Sequence, residues 1–320
     1  MKRFRYFFVF LVIVLVSCKS ESFRTPSGDD PYLIVTHLKE DALTFIDFKS
    51  QEVLDLIDVP FPIANIVPIG EKQFIAASRG EENLILFDLK EGKRKPFIRV
   101  DKGTQALFFE ETSGQLYASN VERDEVLQID VATEKIVARF RVGSFPTEML
   151  TINDVLYVLN VESDDVTMIK DGVTRSFSVI ERPSGIFFDG TYIWIGGHGR
   201  YSQLNRHIFA YDPVTLKEII ALDVGLMPIA FYGEKDEPDF YVVCHGDHML
   251  YKIDKATYDV VDKIKVGQNP NFVTGNADYL FVSNFDDHSL SIIDKRTFSL
   301  VSELSVPSGP YAIVVQEESK

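Results

Sequence analysis

Three of the six histidines, His37, His198 and His245, and one arginine, Arg79, stand at equivalent points of a phrase that the chain repeats. In other copies that point is Asn120, Asn160 or Asn284, and Gly197 directly precedes His198. Imidazole titrates near neutrality, so such residues could serve as general bases or as ligands for zinc or copper. A zinc site needs three or four donors at about 2.0–2.3 Å. His198, His245 and Asp247 form the best compact set, because equivalent positions in distant copies would face each other across a wide channel. Asn and His at strand ends also satisfy turn backbones, and that structural duty stands beside the chemical one. No nucleophile–base–orienter set stands out, so no catalytic residue, metal or other cofactor is assigned. A C-x-x-C-H haem attachment is missing.

A second ring of residues precedes the first apolar run of each copy: Phe61, Gln105, Phe145, Arg182, Met227, Asn269 and Tyr311. Polar groups converging among aromatic rings make a ligand floor. His37, Arg79, Arg182, His198, His245 and Tyr311 are the candidate ligand-binding residues. The fifth copy carries extra residues at 200–206, and insertions in repeats often bind partners. Its Arg200, Tyr201 and Arg206 are candidates for protein contact, since Tyr and Arg are favoured anchors. Acidic loops such as Glu81-Glu82, Asp164-Asp165 and Asp286-Asp287 lack the D-x-D-x-D-G order of a calcium loop and read as a solvated rim.

These residues need elements that bring them to one place, and the repeat supplies them. Asp47, Asp88, Asp130, Lys170, Asp212, Asp254 and Asp294 recur about every 41 residues. Thr104, Pro146, Pro183, Pro228, Pro270 and Pro310 form a second ruler, with Pro62 one place early. A period of about 40–45 residues marks a propeller or another repeat array. Each unit contains four β-type runs separated by turn signals, as in an antiparallel meander. The first copy starts at Tyr32–Thr36 without an inner strand, and Tyr311–Val315 lies beyond the last complete unit. The expectation is all-β: a seven-bladed β-propeller of four-stranded antiparallel blades, residues 31–320, closed by a C-terminal strand completing the N-terminal blade.

The phrases Leu116-Tyr117-Ala118-Ser119-Asn120, Leu156-Tyr157-Val158-Leu159-Asn160 and Leu280-Phe281-Val282-Ser283-Asn284 carry a family resemblance. So do the V-G-x-x-P phrases starting at Val142, Val224 and Val266. From Tyr32 to Val315 the chain resembles the YVTN-repeat seven-bladed propellers of bacterial surface and periplasmic proteins. The fold resembles that of streptogramin lyases too, which use a histidine and a metal. That likeness implies, as the alternative, a metal-dependent lyase-like or hydrolytic enzyme with His198 or His245 as base.

The N-terminus reads as a secretion signal. Lys2, Arg3 and Arg5 precede the apolar stretch Tyr6–Val16, which is short for a membrane span. Leu15-Val16-Ser17-Cys18 resembles a bacterial lipobox, which implies cleavage after residue 17, lipidation of Cys18 and attachment to the bilayer through it. Residues 18–30 are expected to be the lipidated cysteine and a flexible tether. Lys19 after the cysteine implies the outer rather than the inner membrane. The whole chain has a net charge of −15, and loss of residues 1–17 would leave 48 acidic and 30 basic side chains, net −18. Such a surface excludes nucleic acid, whose binding rests on a cationic footprint, and argues against adhesion to anionic lipid. The expected role is a non-catalytic binding or scaffold module of the cell envelope, with a protein, peptide or glycan partner.

Overall fold

The computed structural model describes residues 21–23 and 31–317. The expected signal peptide and Cys18 lie outside them. Seven sheets, each a four-stranded antiparallel meander, follow one another around a ring. Blade 1 is built from Pro310–Gln316, Tyr32–His37, Ala42–Asp47 and Glu52–Asp58, listed from the axis outward. Its register pairs Tyr32 with Gln316 and Ile34 with Val314, so the tail supplies the strand that the head lacks. Blades 2 to 7 start from the inner strands Asn65–Gly70, Thr104–Glu110, Pro146–Ile152, Pro183–Phe188, Pro228–Tyr232 and Pro270–Gly275.

Burial follows position within each blade. Second strands are enclosed by neighbouring blades on both faces, as in Tyr279–Asn284, where five successive residues are buried. Outer strands alternate, as in Lys135–Arg141, because only one face finds a neighbour. The core is thus a set of layers between blades. One holds Ile34, Phe45, Phe74 and Phe87; another packs Trp194 against Phe240 with ring centroids 5.3 Å apart.

The recurring aspartate that measures the repeat has a local cause. Asp130 Oδ1 accepts the Thr133 amide at 2.7 Å, and Asp254 and Asp294 take the Thr257 and Thr297 amides in the same way. This side-chain turn ends the third strand in each blade that carries the aspartate. Blade 4 has Lys170 instead and turns through Asp171 and Gly172, both at positive φ (50° and 79°). That is the requirement of a two-residue type I′ hairpin.

One finding departs from the sequence reading. The segment expected to be a tether is not free along its length. Glu21–Ser22 forms a fifth strand on the outer edge of blade 2, opposite Arg94 and Lys93. The Phe23 amide donates to the Gly92 carbonyl at 2.8 Å, and its ring packs 5.9 Å from that of Phe87. Two residues are too few to show a strand period, which is why the sequence did not reveal them.

Candidate functional site

The crossings from each outer strand to the next inner strand share one face with the loops between second and third strands. This is the mouth of the central channel. At the crossings the residue before the inner strand adopts a left-handed conformation: Phe145 (φ 62°), Arg182 (49°), Met227 (54°) and Asn269 (52°). Side chains from the preceding blade hold three of the four amides, and the Asn205 carbonyl holds that of Met227. Asp124 Oδ1 accepts from Phe145 at 3.0 Å, Asp164 Oδ1 from Arg182 at 2.7 Å, and His248 Nδ1 from Asn269 at 3.1 Å. Part of the acidic rim is therefore committed to joining blades rather than left to solvent.

The registers shift three of the four ionisable residues by one place. Asn160 pairs with Pro146, and Asn284 with Pro270. Their true counterparts are His37, Ser78, Gly197 and Cys244; His37, Gly197 and Cys244 pair with Pro310, Pro183 and Pro228. Arg79, His198 and His245 each follow that point. His37 performs the asparagine's duty. Its Nε2 lies 2.8 Å from Thr44 Oγ1, as Asn160 Nδ2 lies 2.9 Å from Thr167 Oγ1 and Asn284 Nδ2 2.8 Å from Ser291 Oγ. It is fully buried, and burial pushes its pKa down to about 4, so the ring is neutral. Burial likewise drives the Cys244 thiol well above its usual range.

A cavity of about 870 Å³ lies on the axis, lined from all seven blades. Of the expected ligand residues, Arg79, Arg182, His198 and Tyr311 line it. His37 is fully buried and does not line it. His245 packs against His198 with ring centroids 5.6 Å apart and faces Asn271. Burial, then His245 and Arg182, lower His198 to about 4; burial is also the main cause lowering His245. Both imidazoles are neutral at pH 7. Asp247 turns elsewhere, its Oδ2 accepting from the Leu226 amide and the Tyr251 hydroxyl. Among the described residues no three His, Cys, Asp or Glu side chains converge to hold a metal ion.

Two guanidiniums flank the opening. Arg79 lies 5.1 Å from the Phe145 ring centroid, and Arg182 lies 5.9 Å from that of Tyr201. Both are within cation–π range. Neither forms an ion pair with a described carboxylate. The fifth-blade insertion folds as a hairpin of Gly199–Arg200 and Gln203–Leu204, tied down by Arg200 to Glu181. Tyr201 at its tip is 93% exposed beside Arg182, so the insertion overhangs the mouth. Arg206 is exposed, and its charge acts on Cys244 and Tyr251.

Sequence reasoning missed Glu148. It occupies the third place of its inner strand, where other blades have Ala106, Gly185, Ala230, Phe272 and Ala312. Protein surrounds it, yet it keeps accessible surface toward the lumen. Desolvation raises its pKa to about 7, partly offset by the Ile186 amide, which donates to Oε2 at 3.1 Å. Burial, reinforced by the Glu148 charge and opposed by Arg79, also raises Tyr311. The signal was available: this is the one ionisable residue in its column.

No family model and no curated protein matches this chain. Solved structures do. A functionally unknown protein from Desulfotomaculum acetoxidans aligns with a TM-score of 0.73 at 12% identity, over 90% of this chain and 99% of that one. Hydrazine synthase from Kuenenia stuttgartiensis aligns at 0.71 and 13%, over 85% and 94%. Dihydro-heme d1 dehydrogenase NirN, in complex with DHE, aligns at 0.63 and 12%, over 92% and 77%. At such identities the likeness concerns the fold, and the fold is the seven-bladed β-propeller.

Proposed function

We propose that this protein is a lipid-anchored binding module of the cell envelope, whose channel mouth takes a ligand with an anionic group and an apolar or aromatic body. The observation that carries the reading is the pair Arg79 and Arg182, set over rings at the rim of an aromatic-lined cavity on an otherwise acidic chain. Guanidinium forks match carboxylates in geometry as well as charge. Phe61, Phe145, Phe231, Phe272 and Tyr311 offer the apolar wall. Cys18 supplies the anchor, and NirN, a neighbour in fold, forms a complex with DHE. The neutral pair His198 and His245 favours the alternative, a lyase-like enzyme with an imidazole base, less strongly: Asn271 is hydrogen-bonded to His245, but among the described residues no carboxylate is hydrogen-bonded to either ring.

The test is equilibrium binding of small aromatic carboxylates, each compared with its own primary amide. Carboxylates should bind and amides should not. Arg79→Ala and Arg182→Ala should each weaken binding by about tenfold or more, as expected for losing a charge-assisted hydrogen bond of about 1.5–3 kcal/mol. Equal binding of acid and amide would reject the reading.

A further inference from the structure

The docked N-terminal strand and the distribution of basic residues over the outer strands point to one surface. Taken together, the fourth strands of blades 2 and 3, Lys93–Arg99 and Lys135–Arg141, carry seven cations and no carboxylate, and the short strand Glu21–Ser22 beside the first adds one acidic residue. The other five outer strands carry three cations and seven carboxylates. Lys90 stands at the turn into the first of the two basic strands. Lys93, Lys95 and Arg99 have carboxylate partners, Glu91, Glu134 and Glu82, in exposed pairs that exchange readily with other anions, and Arg139 pairs with the half-buried Glu125. Lys90, Lys135 and Arg141 are exposed and form no ion pair with a described carboxylate. Exposed apolar side chains do not single this flank out, since Val53, Val173, Ile219, Val261 and Leu300 stand on other outer strands.

Chain length places the anchor here. Two residues, Lys19 and Ser20, lie between Cys18 and Glu21, and three extended Cα-to-Cα steps reach about 10 Å. Glu21–Ser22 is hydrogen-bonded along Lys93 and Arg94. An acylated Cys18 cannot stand far from this edge.

We propose that the outer edge of blades 2 and 3 is a docking surface for anionic phospholipid headgroups, set against the bilayer by the short link from Cys18 to the strand Glu21–Ser22. The inference rests on the lipid anchoring of the proposed function. Anionic headgroups attract this edge and repel the acidic remainder, so the charge asymmetry orients the domain. A propeller standing on its rim leaves both openings of its channel uncovered, and the mouth with Arg79 and Arg182 stays accessible.

The experiment uses the full-length protein in vesicles of phosphatidylcholine, alone or mixed equally with phosphatidylglycerol. Lysine acetylation rates and the acyl group on Cys18 are read by mass spectrometry of the same samples. On anionic vesicles Lys90, Lys93, Lys95 and Lys135 should react at least about fivefold more slowly, the factor expected for each basic residue held at such a surface. Lys263 and Lys265 on blade 6, across the ring, should not change. The double substitution Lys93→Glu and Lys95→Glu should abolish protection of Lys90 and Lys135 while the thermal unfolding midpoint stays put. Equal rates on both vesicles with Cys18 acylated would overturn the docking surface and leave the anchor standing. A Cys18 without an acyl group would overturn both.

Discussion

Replacing Glu148 by glutamine should stabilise the protein, and only where the carboxyl would be charged. An ordinary glutamate has a pKa of 4.5, and burial beside the channel raises this one to about 7. Between those values the unfolded chain has released its proton while the folded chain holds it, so stability falls as pH rises. Each pH unit costs about 1.4 kcal/mol, which gives a ceiling of about 3 kcal/mol above neutrality. Water in the lumen lowers that ceiling, because Glu148 is not sealed from it. Glutamine keeps a carbonyl for the Ile186 amide and has no charge to desolvate. Urea unfolding of wild type and Glu148→Gln, at about pH 4.5 and about pH 8.5, measures the effect. The two proteins should coincide in acid, and the variant should gain about 2–3 kcal/mol in base. A constant difference at both pH values would refute the assignment. A less stable variant in base would show the charge to be compensated.

His37→Asn should leave stability within about 1 kcal/mol, whereas His37→Ala should cost about 2–3 kcal/mol by orphaning Thr44 and opening a cavity; thermal unfolding separates the two. Because the folded pKa of His37 is lowered to about 4, wild type should lose up to about 3 kcal/mol as pH falls from 6.5 toward 4, and His37→Asn should lose less. Deleting Pro310–Gln316 should abolish cooperative unfolding, because Tyr32–His37 would become an unpaired edge at the ring junction; circular dichroism and calorimetry show it. Phe23→Ala should release the Phe23 amide to free exchange with deuterium while protection beyond blade 2 is unchanged.

Much of this architecture was readable from period alone. Seven copies of the turn aspartate or its substitute, spaced about 41 residues apart, determined blade number, and the missing first strand determined closure. The site was readable only to within one residue. Counting by residue type set Arg79, His198 and His245 beside Asn160, but pairing to the inner strand sets Cys244 and Gly197 there. A bulge follows each of these pairs, between Pro228 and Ala230 for instance, and no propensity scale marks it. That offset separates a buried structural imidazole at His37 from a lumen-facing one at His198. Glu148 is hidden for a different reason: it sits within a strand, whereas the repeat marks the residues at strand ends.

The left-handed crossings connect fold to site. A non-glycine residue in this conformation costs about 1–3 kcal/mol, and blades 1 and 3 avoid the cost with Gly309 (φ 69°) and Gly103 (φ 92°). Blades 4 and 5 use Phe145 and Arg182 at the same turn, where glycine would be easier. Asp124 and Asp164 bind their amides and hold the strained backbone in place. What glycine could not supply is a side chain at the rim. Phe145 gives Arg79 the ring over which it lies, and Arg182 is itself the second guanidinium. Arg79 belongs to blade 2 and Phe145 to blade 4, so the contact spans the opening between non-adjacent blades. Strain carried at these turns, rather than at the glycine crossings, sets Arg182 at the channel mouth and gives Arg79 its ring.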